Sequence, residues 1–508
     1  MNFYIVIIFS YLVALTVMNF VKSRKVKTRD DMMVAGRSIS VTKMVFTLIC
    51  TWIGSGTFIA GAEFAAKAGW SALWQPAGAW IGIIVIYFLA AKIRTFGQYT
   101  VGDILEERYG PVARIFGAIA IIISFTVIVS YQFKAGGYIL NAISDGAIET
   151  DQGMFMAFVF VTLFTAIGGM IAVANTDLPN GIIILSSTIL ATPLVILAAG
   201  GWNQIKAILP PTHFQVISQE FGGNPTLKIP AIGLAGMMLL LGVQSMYQKF
   251  YSARNPREAQ KAAGIWVVGT IIVETVAIVI AVFAAAYFWK ELQSGTMDHA
   301  AVIVQAAKRM IFLPVGILLL GAATAVVIST GMNYLLSPTT TIIHDFYRRF
   351  RKKRSEGESS SERQMVFLQK GMIIIVGIIA FLLAWKMRSV LESAYFAYTV
   401  YGVAVTPALL AALASKRVTK EAGLASIVSG TMLTVFLKLA GFVWPSIMIP
   451  AGDPNGDPFG IPIIYPALAV SVLCLVVVSI FTKPPQKEVL LKFFPKKEKE
   501  SFLKEMEF

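Results

Sequence analysis

"CTWIGSGTFIAGAEFAAKAGW" (residues 50–70) decides how this chain is read. Gly54, Gly56, Gly61 and Gly69, with Ser55 and Thr57 among them, punctuate an otherwise apolar segment. Each glycine inside a helix costs about 1 kcal/mol relative to alanine, so a continuous helix here is poor. Two readings follow. Small residues let neighbouring membrane helices pack closely. Alternatively the helix is discontinuous at mid-membrane, and unwound carbonyls near Thr51 and Gly54 are free to coordinate a cation.

The surroundings are those of a membrane protein. The chain has 508 residues, 56% of them hydrophobic and 14% charged, with a mean hydropathy of +0.71. Soluble domains carry about 25% charged residues. Apolar runs of about 20 residues recur, the length a helix needs to cross the hydrocarbon layer. They are apolar on every side, which excludes a β-barrel and makes the spans helical.

The net charge of +15 is placed in linkers. "KSRKVKTR" (22–29), "YRRFRKKR" (347–354), "SKRVTK" (415–420) and "FFPKKEKE" (493–500) are basic, whereas "SDGAIETDQG" (144–153) and "AGDPNGDPFG" (451–460) are acidic or neutral. That alternation follows the positive-inside rule, puts the N-terminus outside and the C-terminus in the cytoplasm, and argues against nucleic acid as a partner. Cys50 and Cys474 both fall in apolar runs, so no disulfide framework is implied.

Thirteen spans are expected, near 2–21, 46–68, 74–94, 112–143, 153–174, 178–200, 230–250, 264–289, 313–345, 366–386, 392–414, 422–443 and 461–482. The first lacks a basic n-region and a small-residue cleavage site and reads as a retained helix. "RSEGESSSERQ" (354–364) reads as a flexible cytoplasmic linker. The histidines, His213, His299 and His344, fall in expected loops or at a span end, which argues against a heme or zinc enzyme.

Further motifs carry polar chemistry. In "TAIGGMIAVANTDLPNG" (165–181), Asp177 and Asn180 lie in the first turn of a helix. There Asp177 is either an N-cap at the inner interface or a carboxylate that binds and releases a cation. "MYQKFYSARNPREAQKAAG" (246–264) reads alone as a solvated basic linker. Pro407 in "YTVYGVAVTPALLAALASKRVTKEAGLASIVSG" (398–430) is expected to kink a span and free a carbonyl. In "AVVISTGMNYLLSPTTT" (325–341), Ser329, Thr330 and Asn333 concentrate oxygen at one depth.

Over nearly its full length the chain resembles the sodium/solute symporter family. The resemblance is carried by "GSGTFIAG", "IGGMIAVANTD", "QKFYSARNPREAQKA", "STGMNYLLSPTTTIIHDFY" and "TPALLAALASKRVTKEAG", which occur in the family's order. It implies an all-α integral membrane protein with a LeuT-type core of two inverted five-helix repeats, core helices 1 and 6 being broken. Residues 1–21 would form a leading helix, 46–415 the ten-helix transport core, 420–482 two trailing helices and 483–508 a basic cytoplasmic tail.

The resemblance also implies a sodium site, with sodium as the coupling ion. Carbonyls of Thr51 and Gly54, the carbonyl of Val326 and the hydroxyls of Ser329 and Thr330 would hold it. Five oxygens suit a hard cation; back-bonding of the hydroxyls to the preceding turn is the structural alternative. Some members hold a second sodium with an Asp matching Asp177 and hydroxyls at positions that fall here on Met332 and Asn333. Met332 offers no hard oxygen, so one sodium per solute is expected, with Asp177 and Asn333 as a candidate second-cation or release site.

Sugar-carrying relatives use polar groups where this chain has Phe58, Gly236 and Leu239, which argues against a sugar. Candidate solute-lining residues are Trp52, Ser55, Gln75, Gln244, Tyr398 and Thr399. Lys134 either snorkels at the outer interface or reaches deeper to attract a carboxylate. Glu63 and Lys67 read as an i,i+4 pair facing an outer vestibule.

The expectation is a multi-pass plasma-membrane carrier, not an enzyme, that couples sodium entry to uptake of a small organic solute, carboxylate or amino-acid-like. Lipid and solute are its expected partners, and a monomer is one arrangement left open. A proton-coupled or uncoupled carrier on the same scaffold, or a membrane sensor derived from one, is the alternative.

Overall fold

In a computed structural model the described residues are 3–23, 29–96, 99–347, 362–449 and 456–494, and they are almost entirely helical. The basic stretches 22–29, 347–354 and 493–500, the linker 354–364 and the segment 451–460 lie wholly or partly outside them. The two ends of the bundle are called inner and outer after the placement of the basic linkers.

The helices that matter for the site are α1 (Phe3–Ser23), α2 (Val41–Trp52), α3 (Gly61–Ala68), α4 (Trp74–Phe96), α5 (Val101–Tyr109), α6 (Pro111–Ile143) and α7 (Thr150–Ala198). They continue with α8 (Pro225–Gly242), α9 (Gln244–Ser252), α10 (Pro256–Tyr287), α11 (Leu313–Thr341), α12 (Glu362–Lys386), α13 (Val390–Ala404) and α14 (Thr406–Ala414). Two trailing helices, α15 (Lys420–Val443) and α16 (Ile464–Phe481), pack against each other.

Among the described residues, eleven helical stretches are long and apolar enough to cross a membrane, against the thirteen expected. The leading helix, Phe3–Ser23, has the 21 residues of a span and stands apart from the eleven. Core helix 1 is divided: α2 is a short apolar helix of 12 residues, and α3 runs together with α4 in the stretch Gly56–Phe96 because the break leaves neither half with the length of a span. The second long element, α7, holds two spans; Gly169 breaks it with φ 53° and ψ −156°, a conformation that only glycine adopts cheaply.

Breaks occur where the sequence lacks side-chain support or amide donors. Core helix 1 ends at Trp52; Ile53 is extended (φ −75°, ψ 94°), and a π-helical turn, Gly56–Ala60, leads into α3. Core helix 6 is broken at Val243 (φ −60°, ψ 117°), between α8 and α9. Core helix 10 is interrupted at Val405, just before Pro407. Proline deprives the carbonyl four residues earlier of its donor; that carbonyl, Val403 O, instead accepts from Ser471 Oγ of α16 at 3.0 Å. The trailing pair thus satisfies the kink that Pro407 creates.

The helix α9 corrects the reading of 246–264 as a solvated linker. All nine residues Gln244–Ser252 are buried, Lys249 included. The solvated segment starts only after Ala253. The adjacent apolar and aromatic residues Tyr247, Phe250 and Tyr251 pack this half-helix into the core.

Candidate sodium and solute site

The largest helix pairings of α11 are with α7 and α6, and this packing sets Ser329 and Thr330 against the core helix 1 break. Thr330 Oγ1 donates to Cys50 O at 2.9 Å and lies 3.3 Å from Ile53 O. Ser329 Oγ back-bonds to Ala325 O at 2.8 Å and stands 3.5 Å from Cys50 O. The carbonyls met by these hydroxyls are therefore those of Cys50 and Ile53, each one residue before Thr51 and Gly54. Gly54 O accepts from the amides of Thr57 and Phe58, at 3.0 and 3.2 Å. Val326 is buried one turn before Thr330. Gly54 is required by close approach: a Cβ there would lie 2.7 Å from Thr330 Cγ2.

Toward the inner end a second polar cluster lies beneath the first. Asp177 is fully buried among core residues, not at a helix N-cap, and accepts from Thr47 Oγ1 and, at 3.4 Å, from Asn333 Nδ2. The ammonium of Lys249 donates to Asn333 Oδ1 and contacts Met170 Sδ at 3.2 Å. Asp177 and Asn333 thus meet, and a lysine missed by sequence reasoning joins them. Its signal was local: Lys249 interrupts an aromatic run rather than the charged stretch that follows.

Several candidate solute residues gather at the break. Ser55 Oγ donates to Gln132 Oε1 at 2.7 Å, and Gln75 Nε2 donates to Gly56 O at 3.0 Å. Tyr398 lies 3.3 Å from the hydroxyl of Tyr131, and its ring is 6.3 Å from that of Trp52. Trp52 Nε1 donates to the buried carboxylate of Glu274, which the sequence reading did not single out.

Three candidates are placed elsewhere. Gln244 clips the start of α9 to the inner end of α11, donating to Ser337 O at 3.1 Å and Thr341 Oγ1 at 2.7 Å. Thr399, one position from Tyr398, faces away and lines an outer cleft with Lys228, Glu392, Tyr395 and Asp457. Lys134 Nζ stands 3.7 Å from the exposed carboxylate of Asp151 on α7, away from the break.

Ion pairs close both ends. At the inner end Arg114 pairs with Asp103 at 2.9 Å and with Asp345, while His344 Nε2 is 2.9 Å from Asp103 Oδ1. Asp103, His344 and Asp345 are near enough to share a metal, but the guanidinium of Arg114 already bridges the two carboxylates. Burial works to raise the pKa of Asp103; the hydrogen bond and charge of His344 and the charge of Arg114 outweigh it and hold the carboxyl well below the usual range. At the outer end Lys228 pairs with Asp457 at 3.0 Å and Glu392 at 3.4 Å.

Two core helices broken within their length, one of them with hydroxyls of a third helix turned onto its carbonyls, are the features expected of a secondary transporter of the inverted-repeat class. The family model for the sodium:solute symporter family matches residues 32–430, and the chain belongs to that family. The chain is 24% identical over 491 residues to the high-affinity proline transporter PutP of Bacillus subtilis, covering 92% of this chain and 96% of the relative. It is 24% identical over 459 residues to the sodium/proline symporter of Escherichia coli, covering 87% and 88%. Its fold is similar to that of a Na+-coupled sialic acid symporter, with TM-score 0.75 and 16% identity over 95% of this chain and 99% of the other. A nucleobase-cation-symport-1 family transporter is similar at TM-score 0.58 and 13% identity, covering 91% and 97%. The protein is a multi-pass membrane transporter of LeuT-type fold that couples sodium to a small organic solute.

Proposed function

We propose that the protein carries one sodium ion with each molecule of an amino-acid-like solute into the cell, with its N-terminus outside and its C-terminus in the cytoplasm. The observation that carries the sodium half is the Thr330 hydroxyl turned onto the unwound carbonyls of core helix 1. The site comprises Ser329, Thr330 and Val326 of α11 with break carbonyls in the segment 50–54. Residues 46–415 act as the transport core.

Sodium bound between α11 and the break ties two elements that must separate for release inward. It binds the outward-facing arrangement more tightly and shifts the population toward it. Because this is a linkage, sodium raises solute affinity by the factor with which solute raises sodium affinity. The Lys249 ammonium at Asn333 supports a stoichiometry of one, since a fixed cation stands beside Asp177 where a second ion would be placed. The proline-carrying relatives make L-proline the first solute to try.

Uptake into proteoliposomes, with sodium and proton gradients imposed separately, tests this reading. Solute accumulation driven by sodium alone is expected. Accumulation that follows the proton gradient and ignores sodium would remove it.

A further inference from the structure

Glu274, on α10, is 3% exposed and lies against the core helix 1 break. Its Oε1 accepts from Trp52 Nε1 at 2.9 Å and lies 3.4 Å from Thr57 Oγ1; its Oε2 accepts from Trp80 Nε1 at 2.8 Å. Trp52 ends the first half of the broken helix and Thr57 lies in the turn that begins the second, so the carboxylate grips both sides of the gap. Among the described residues no Lys, Arg or His pairs with it. Indole N–H groups can orient a carboxylate but carry no positive charge to neutralise it. A carboxyl group buried within a membrane span either holds a proton or pairs with a cation, and a bound cation is the partner that can arrive and leave with each transport cycle.

The neighbouring groups say which kind. A hard metal ion takes about six or more oxygens, whereas two of the three groups around Glu274 are N–H donors that repel one. The hydroxyls fit for sodium, Ser329 and Thr330, reach Cys50 and Ile53 instead. An ammonium needs only a few acceptors and also favours aromatic faces. The segment of the break offers both: Gln75, which donates to Gly56 O, keeps its buried Oε1 without a partner among the described residues, and the rings of Trp52 and Tyr398 lie 6.3 Å apart. Gln132 Nε2, buried and equally unpartnered next to Ser55, offers an N–H donor to an acceptor on the same solute. The ionisable group at the break is thus a carboxyl group, whereas Lys134 is paired at the outer end.

We propose that Glu274 is a specificity-determining residue of the solute site and that the transported solute carries a protonated amine, which Glu274 recognises. This deepens the sodium-symport reading and rests on it.

The test is a thermal-shift panel on the purified full-length protein, with and without sodium. Its probes are L-amino acids including L-proline, their N-acetyl derivatives, monocarboxylates, vitamins and sugars. Sodium alone should still stabilise Glu274→Gln; a variant that loses its sodium response together with its amine affinity would show that Glu274 supports the break and does not read the solute, and would overturn the proposal. An amine-bearing probe should stabilise the wild type, and its N-acetyl form should bind at least tenfold more weakly. Glu274→Gln should lose at least tenfold in affinity for the amine, while Glu274→Asp keeps the preference for amine over N-acetyl form. Wild-type amine affinity in Glu274→Gln would overturn the proposal. So would a solute without an amine as the best ligand, or a variant that loses only a proton dependence of uptake. A wild type that does not respond to sodium at all instead sinks the symport reading, and that result needs no solute.

Discussion

Lys249 on the second half of core helix 6 donates its ammonium hydrogen bond to the side-chain oxygen of Asn333 on α11. Asn333 in turn offers its amide nitrogen to Asp177 at 3.4 Å. One asparagine therefore stands between a buried cation and a buried anion and faces each with the matching end of its amide. Opposite charges taken out of water cost several kcal/mol each unless they are compensated. The relay ties three helices beneath the sodium site.

Sodium stoichiometry follows from this relay. With Lys249 supplying a positive charge beside Asp177, the sodium dependence of uptake should show a Hill coefficient near one. A value near two, with saturating solute, would count against the arrangement.

Removing the lysine charge should expose the cost of the carboxylate. Lys249→Met strands Asp177 and should lower stability by about 3–5 kcal/mol, as for a buried pair with one partner deleted. The double variant Lys249→Met with Asp177→Asn should recover most of that loss. Equal melting temperatures for the single and double variants in detergent would show that the two side chains are not coupled.

The contact between Gly54 and Thr330 predicts a sodium phenotype. In Gly54→Ala the new Cβ would stand 2.7 Å from Thr330 Cγ2 and 2.9 Å from its hydroxyl, so the threonine must turn or α11 must move. The apparent sodium affinity should fall at least tenfold, and Thr330→Ala should do the same. Unchanged sodium half-saturation in both would remove Thr330 from the ion site.

These residues also show what could be read in the sequence. The glycines of 54–61 and the hydroxyl pair at 329–330 were legible because broken membrane helices and clustered hydroxyls contradict local propensity. The break in core helix 6 was expected from the family resemblance, but its location at Val243 has no glycine-rich signal beyond Gly242. Lys249 was marked only by its place in an aromatic run, next to a charged stretch that masks it, and Glu274 is a single charge in an apolar run. Hydropathy cannot tell a snorkelling side chain from one turned into the core. Gln244 and Thr399 point away from the core helix 1 break because one residue of helix register, about 100° of rotation, decides which face a residue presents.

Acid should weaken the inner ion cluster at Asp103. Its carboxyl is held below the ordinary value, so its stabilising contribution is complete above the unfolded pKa of about 3.9 and disappears as the pH falls through the folded value. At pH 7, Asp103→Asn should cost about 1–3 kcal/mol, as expected for losing a charged hydrogen bond. The gap in melting temperature between wild type and variant should narrow below about pH 4. A gap that is constant down to pH 3 would show that Asp103 contributes through shape and not charge.

Glu63 latches the outer half of core helix 1 to the start of core helix 10. Its pair with Lys67, at 2.7 Å, is present as the i,i+4 spacing suggested. The same carboxylate accepts from Ser389 Oγ at 2.7 Å and from the backbone amide of Leu391 at 3.0 Å. Leu391 N is among the first-turn amides of α13, which lack a partner within their own helix and favour a negative charge. An opening to the outside that separates these elements would break both bonds. Hydrogen bonds to a charged group contribute about 1.5–3 kcal/mol each, so Glu63→Ala should shift the population toward outward-open by at least tenfold. With Cys50 and Cys474 replaced by serine and a cysteine introduced by Gln75→Cys, outside-applied maleimide should label the Glu63→Ala protein correspondingly faster. Lys67→Ala is the control: it removes the exposed partner, leaves both bonds across the helices intact, and should label at the parent rate. If the two variants label alike, the latch is not at Glu63.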